Sequence, residues 1–213
     1  VIKDYFRQCS VMVNALDLAM MAATLANSGR NPLSGDQVLD IASVERVLSV
    51  MATCGMYDDA GAWLSSVGMP AKSGVGGGTI AVLPGQVGLA VYSPPLDAHG
   101  SSVRGVATSQ RISHDMELHF VRAARTGRSA IRNVYDITAA PSGIRRTDEA
   151  AEVLRSHGHR AQVLELNGDL LFAGAESVVR ALSTLDDDVE MVVLDLRSVD
   201  EVSDVALRLF AES

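Results

Sequence analysis

Aromatic residues are scarce in this chain, at 4% of 213 residues with a single Trp, and there are only two cysteines. No apolar run approaches the ~18–20 residues that a membrane-spanning helix needs, which argues against a membrane partner. No basic segment followed by an apolar stretch opens the chain, so no signal peptide is read. The opening Val1-Ile2-Lys3-Asp4-Tyr5 lacks an initiator Met and reads as mid-domain. Cys9 and Cys54 stand in no Cys-x-x-Cys or metal-ligand spacing. They are expected to be buried packing thiols, which fits a reducing cytoplasm. The five histidines are scattered and stand in no metal-ligand pattern, so no metal site is expected. The run Gly74–Gly78 lacks the closing Gly-Lys-Ser/Thr of a phosphate loop and leads into a strand pattern rather than a helix.

The 47% hydrophobic and 21% charged fractions describe a globular domain or two. A net charge of −8 argues against a nucleic-acid partner. The charge is uneven: residues 1–121 carry −3, residues 122–146 carry +5, and residues 147–213 carry −10. The basic segment holds Arg122, Arg125, Arg128, Arg132, Arg145 and Arg146. Charge balance favours a linker that docks on the acidic surfaces of its neighbours over an RNA or membrane patch.

Residues 11–27 are apolar around nearly the whole helical wheel, which predicts a buried helix ended by Ser28-Gly29. A helix over 40–53 with Ser43 as N-cap and a short one over 60–67 follow. Apolar runs at 79–83 and 87–92 flank Pro84-Gly85, which predicts a hairpin of strands buried on both faces. A helix over about 102–115 closes this region. Residues 122–159 lose the apolar period, contain Ala140-Pro141-Ser142-Gly143, and read as a linker with an acidic helix over 147–156. Beyond it the pattern predicts a strand at 161–166, a turn at Asn167-Gly168-Asp169, a helix at 173–185, a buried strand at 191–196, and a helix over 204–211 capped by Ser203. The fold class is therefore α/β (α+β), in three parts: 1–121, a linker 122–159, and 160–213.

The chemistry gathers at Lys72-Ser73-Gly74-Val75, which begins 15 residues after Tyr57. A Lys-Ser/Thr-Gly triplet on an edge strand, facing the nucleophile of a Ser-x-x-Lys helix, marks acyl-transfer enzymes of the serine β-lactamase type. No Ser of this chain stands three places before a Lys, so the Ser-x-x-Lys element is absent. Several further blocks occur in order: Tyr5-Phe6-x-x-Cys9-Ser10, Met21-Ala22-Ala23-Thr24-Leu25-Ala26-Asn27, and Cys54-Gly55-Met56-Tyr57-Asp58. After them come Gly68-Met69-Pro70-Ala71-Lys72-Ser73-Gly74-Val75-Gly76-Gly77-Gly78, Ser93-Pro94-Pro95-Leu96-Asp97 and Gly100-Ser101-Ser102-Val103-Arg104-Gly105. Through these blocks residues 5–121 resemble the C-terminal half of the serine-dependent glutaminases, which have a serine β-lactamase-like fold of helices on an antiparallel sheet.

The resemblance implies hydrolysis of L-glutamine to L-glutamate and ammonia through a serine acyl-enzyme, with no metal or organic cofactor and with a homo-oligomeric assembly. It implies that the nucleophile, its Lys and the main substrate clamps lie in a half not present here. Tyr57 matches the family tyrosine that shuttles the proton of the nucleophile. A phenol has a reference pKa of ~10, and a neighbouring cation favours its ionised form; Lys72 is such a cation. The backbone N–H of Val75 matches the oxyanion donor, with Gly74 and Gly76 allowing close approach of a ligand. Tyr5 matches a substrate contact.

Residues 160–213 resemble a partial STAS domain, the α/β fold of anti-sigma-factor antagonists. The resemblance is carried by Leu166-Asn167-Gly168-Asp169-Leu170-Leu171-Phe172 and by Val192-Val193-Leu194-Asp195-Leu196-Arg197-x-Val199. The phosphoacceptor serine of that family aligns with Asp204, so a docking or assembly role is expected rather than a phosphoswitch. Two rivals stand beside the glutaminase reading. One is a β-lactamase or penicillin-binding acylase using the same Lys-Ser-Gly strand, against which the Cys-Gly-Met-Tyr-Asp loop argues. The other is a non-catalytic STAS-bearing scaffold, against which the retained Tyr5, Tyr57 and Val75 argue.

Overall fold

A computed structural model describes residues 1–123, 129–139 and 143–212. They form two compact units, Val1–Val121 and Arg122–Ser213.

The first unit begins with α1 (Ile2–Cys9), none of whose residues is buried. Helix α2 (Ala15–Ala26) starts later than the composition suggests. Asn14 caps it, accepting from the N–H groups of Leu16 and Asp17, while the Asp17 side chain accepts from the Asn14 N–H in return. Only Ala22, Thr24 and Ala26 are buried, and Leu16 and Met21 face outward, so α2 is one-sided rather than enclosed. Helix α3 (Ile41–Cys54) is capped by Asp40, which accepts from the Ser43 N–H at 2.9 Å; Ser43, the expected cap, instead donates its hydroxyl to Asp40 at 2.8 Å. A 3-10 turn, Tyr57–Asp59, leads into α4 (Ala60–Ser66), whose Trp63 is buried and donates its indole N–H to the Met69 carbonyl at 2.8 Å.

Strands β1 (Ala71–Ser73), β2 (Gly78–Leu83) and β3 (Val87–Tyr92) make an antiparallel sheet in that order. The Pro84-Gly85 hairpin joins β2 to β3 as expected. Strand β3 is only partly covered, so burial on both faces holds for neither strand as a whole. Ala22, Ala26, Met51 and Val82 form a core in which α2 and α3 meet β2. Helix α5 (Val103–Asp115) is capped by Ser102, and α6 (Phe120–Ala123) follows. Both cysteines are exposed, contrary to expectation. Cys9 belongs to a helix with no buried face, and Cys54 is the last residue of α3.

In the second unit, residues 122–159 are more than a linker. Strand β4 (Ile131–Asp136) pairs antiparallel with β5 (Ala161–Leu170), and α7 (Asp148–His157) precedes a 3-10 turn at Gly158–Arg160. Arg125, Arg128 and Ala140-Pro141-Ser142 lie outside the described residues. Helix α8 (Phe172–Ser183) connects β5 to the parallel strand β6 (Met191–Val202), and α9 (Asp204–Glu212) follows. The strand expected at 191–196 is therefore present but not buried: β6 lies at the edge of the sheet, none of its residues is buried, and Met191, Val192, Val193 and Leu196 are exposed. Leu164, Leu166 and Leu170 of β5 pack with Ala175 and Val178 of α8 and Ala206 of α9. Asn167-Gly168-Asp169 is no turn: it stays within β5, where the register with β6 shifts twice. Ser203 caps α9, accepting from the Ala206 N–H at 3.3 Å.

Candidate functional site

Strand β1 alternates, with Ala71 and Ser73 buried and Lys72 exposed between them. This puts the Lys72 ammonium on the open face of the sheet and turns the Ser73 hydroxyl inward. Ser73 Oγ is fully buried and finds no hydrogen-bond partner among the described residues.

Gly55 brings Tyr57 to Lys72. It ends α3 flat against β1, and its carbonyl accepts from the Ser73 N–H at 3.2 Å. A Cβ on Gly55 would stand 1.8 Å from the Ala71 carbonyl oxygen, so no other residue fits without moving the strand. Met56, 1% exposed, anchors the next position. The chain then turns through Tyr57, whose φ of +54° lies in the left-handed region that L-residues seldom adopt. The result is a hydrogen bond of 3.3 Å from Lys72 Nζ to Tyr57 Oη, with the ammonium 4.4 Å from the ring centroid. Lys72 Nζ also donates to the Ser73 carbonyl.

Val75 occupies the β1–β2 turn, 75% exposed. The turn is closed by bonds from Gly74 N–H to the Gly78 carbonyl at 2.8 Å and from Gly77 N–H to the Gly74 carbonyl at 2.9 Å. Gly77, at φ +94°, presses on the exit of β3: a Cβ there would come within 2.5 Å of the Ser93 carbonyl oxygen. Gly74 and Gly76 differ, since a Cβ on either would meet no atom closer than 3.7 Å. The packing of this chain does not itself demand glycine at those two positions. Leu25, Val47, Val50, Met51 and Ile80 line an apolar hollow together with Lys72.

Tyr5 is not brought to this group. It lies on α1, 63% exposed, edge-on to Phe6 at 6.1 Å, and a hydrogen bond with the Cys9 side chain pushes its phenol pKa up. One pair escaped the sequence reading. His99 Nδ1 sits 2.8 Å from Asp59 Oδ2, across 40 residues of chain, and this contact raises the His99 pKa above the usual imidazole value. A lone His and an acid that far apart leave no pattern to find. Among the described residues no three His, Cys, Asp or Glu side chains converge as a metal site would require, and no helix is long and apolar enough to cross a membrane.

The chain belongs to the glutaminase family, whose model matches residues 1–120. It is 43% identical over all 213 residues to Glutaminase 1 of Bradyrhizobium diazoefficiens, and spans 35% of that protein. It is 41% identical over 209 residues to a glutaminase of Corynebacterium efficiens, covering 98% of this chain and 44% of that one. A crystal structure of Mglu in its L-glutamate binding form matches with a TM-score of 0.57 at 36% identity, over 99% of this chain and 52% of that one. The chain thus spans about a third to a half of the length of these relatives.

Proposed function

We propose that this chain is part of an enzyme that hydrolyses the side-chain amide of L-glutamine, with water entering and L-glutamate and ammonia leaving. The observation that carries the reading is the Lys72–Tyr57 pair, 3.3 Å apart beside a glycine-bordered turn, in a chain of the glutaminase family. A serine of a Ser-x-x-Lys element, supplied from outside these 213 residues, attacks the amide carbon. Tyr57 relays the proton of that serine to the amide nitrogen as the C–N bond breaks and ammonia leaves; water then cleaves the serine ester, releasing L-glutamate and restoring the serine hydroxyl, and Lys72 holds the phenol oxygen in position. The Val75 N–H donates to the oxyanion that forms on the former carbonyl. Support for Val75 comes from its outward position and from Gly74 and Gly76, whose lack of a side chain nothing in the chain's own packing requires. Tyr5 contacts the amino-acid end of the substrate.

In this reading the first unit is the catalytic part, and the second unit, in which residues 160–213 are the STAS-like portion and β4 pairs with it, is a docking or assembly module of a homo-oligomeric cytoplasmic enzyme. The parallel β5–α8–β6 crossover supports the module. At its α9 start stands Asp204, a carboxylate already suited to a helix N-terminus, where a phosphoacceptor would be needed for a switch. The test is turnover of L-glutamine against nitrocefin by the protein carrying this chain together with its Ser-x-x-Lys element. Ammonia release without nitrocefin hydrolysis is expected. Ammonia release at ordinary enzyme rates by the 213 residues alone would overturn the assignment, because loss of a nucleophile costs on the order of 10⁶ in kcat.

A further inference from the structure

Tyr57 holds a backbone conformation that persists only where its surroundings enforce it. Upstream, Gly55 and the buried Met56 fix the turn. Downstream the turn is more open. Among the hydrogen bonds of the described residues, two side-chain links leave Tyr57–Asp59: Tyr57 to Lys72, and Asp59 to His99. The second link crosses to the loop between β3 and α5. That loop is rigid at the right place, since Asp97 Oδ1 accepts from the N–H groups of both His99 and Ser101 at 2.9 Å. Ser102 Oγ, donating to the Ser93 carbonyl at 2.7 Å, ties the far end of the loop back to the exit of β3.

We infer that His99 is a positioning residue: its ion pair with Asp59 holds the Tyr57 turn against Lys72, and the hold weakens when His99 gives up its proton. This rests on the reading of Tyr57 as the proton carrier, which lends the position its importance. The charged groups facing His99 are Asp59, Asp97 and Asp58, all acidic, with Asp59 the strongest influence. They favour the imidazolium and raise its pKa. The sign follows: the charged pair is complete below the ordinary imidazole value and is lost as pH rises through the raised one. The side chains of His99 and Asp59 are 60% and 35% exposed, so water competes and the hold is modest. Exposed pairs of this kind change a local equilibrium by less than about fivefold.

The experiment is solution NMR on the 213-residue chain, following the nuclear Overhauser contact between the Tyr57 ring and the Lys72 ε-methylene from about pH 5.5 to 8.5, with the His99 imidazole titrated in the same spectra. In the unsubstituted chain the contact weakens, by less than about fivefold, as His99 deprotonates. His99→Ala and Asp59→Asn show the weaker contact at every pH. His99→Lys keeps a cation at this position and retains the strong contact with no step. Two results overturn the inference: His99→Ala or Asp59→Asn with the full contact at low pH, or His99→Lys with the step still present. None of these readings depends on turnover, so the catalytic role of Tyr57 stands or falls separately, on the kcat of a Tyr57 variant.

Discussion

The two units hold their residues in place by different means. In the first, backbone lies directly on backbone: Gly55 meets Ala71, and Gly77 meets the exit of β3. Its sheet has three short strands, and much apolar surface stays open, including Phe6, Leu16 and Val50. In the second, a row of β5 leucines closes on two helices, and Leu164, Leu166 and Leu170 are at most 1% exposed. A catalytic geometry needs atoms fixed to within a few tenths of an ångström, and close backbone approach supplies that where a side-chain core supplies mainly bulk stability.

Gly55→Ala tests this contrast most severely. The added methyl has no room beside the Ala71 carbonyl. The first unit should lose more than about 3 kcal/mol of stability. Trp63, the single Trp, lies buried in that unit, so urea unfolding followed by its fluorescence reads the loss there. An unchanged midpoint would mean that Gly55 has slack and that Tyr57 is placed by other means. Leu164→Ala is the counterpart in the second unit. It leaves a cavity costing about 2–5 kcal/mol, visible as faster hydrogen exchange in β5 and α8, while Trp63 unfolding stays put. Transmission of either loss to the other unit would break the comparison.

A smaller effect comes from charge. Arg197 grips Asp195 and lowers its carboxyl pKa to about 2. A depressed acid stabilises the fold above its unfolded pKa, near 3.8, and the contribution fades as pH falls towards 2. Asp195→Asn should therefore flatten the acid limb of stability against pH in the second unit and leave the first unaltered. Unfolding midpoints measured between those two pH values check it.

What the sequence made legible follows the same division. The Pro84-Gly85 hairpin and helices α5 and α8 could be read because turn residues or a clean apolar period bounded them. Strand β6 was legible as a strand from its apolar run, but that run does not mark burial: β6 is an edge strand with no buried residue. Strand β4 could not. Its register slips between Ile131 and Asn133, so the apolar alternation of a strand is broken within an arginine-rich stretch. Gly168 suggested a turn because glycine permits φ of +71°, yet a bulge within a strand uses the same freedom. Cys54 looked buried by residue type, but the end of α3 places it outside. At the site, Lys72 and Tyr57 were found through local blocks of sequence, and their proximity comes from Gly55, one residue after α3. The His99–Asp59 pair had no such block, because only the folded loop after β3 brings its two members together.

The proposed role of Tyr57, held by Lys72, is to move the proton in amide hydrolysis. The direct measurement is steady-state ammonia release from L-glutamine by the catalytically complete protein with Tyr57→Phe. The ring remains, and only the hydroxyl beside Lys72 is removed. A kcat lower by roughly 10²–10⁴-fold, with KM changed by a few-fold at most, is expected. A variant that keeps half of its kcat would contradict it and leave Tyr57 as a packing residue at a strained turn.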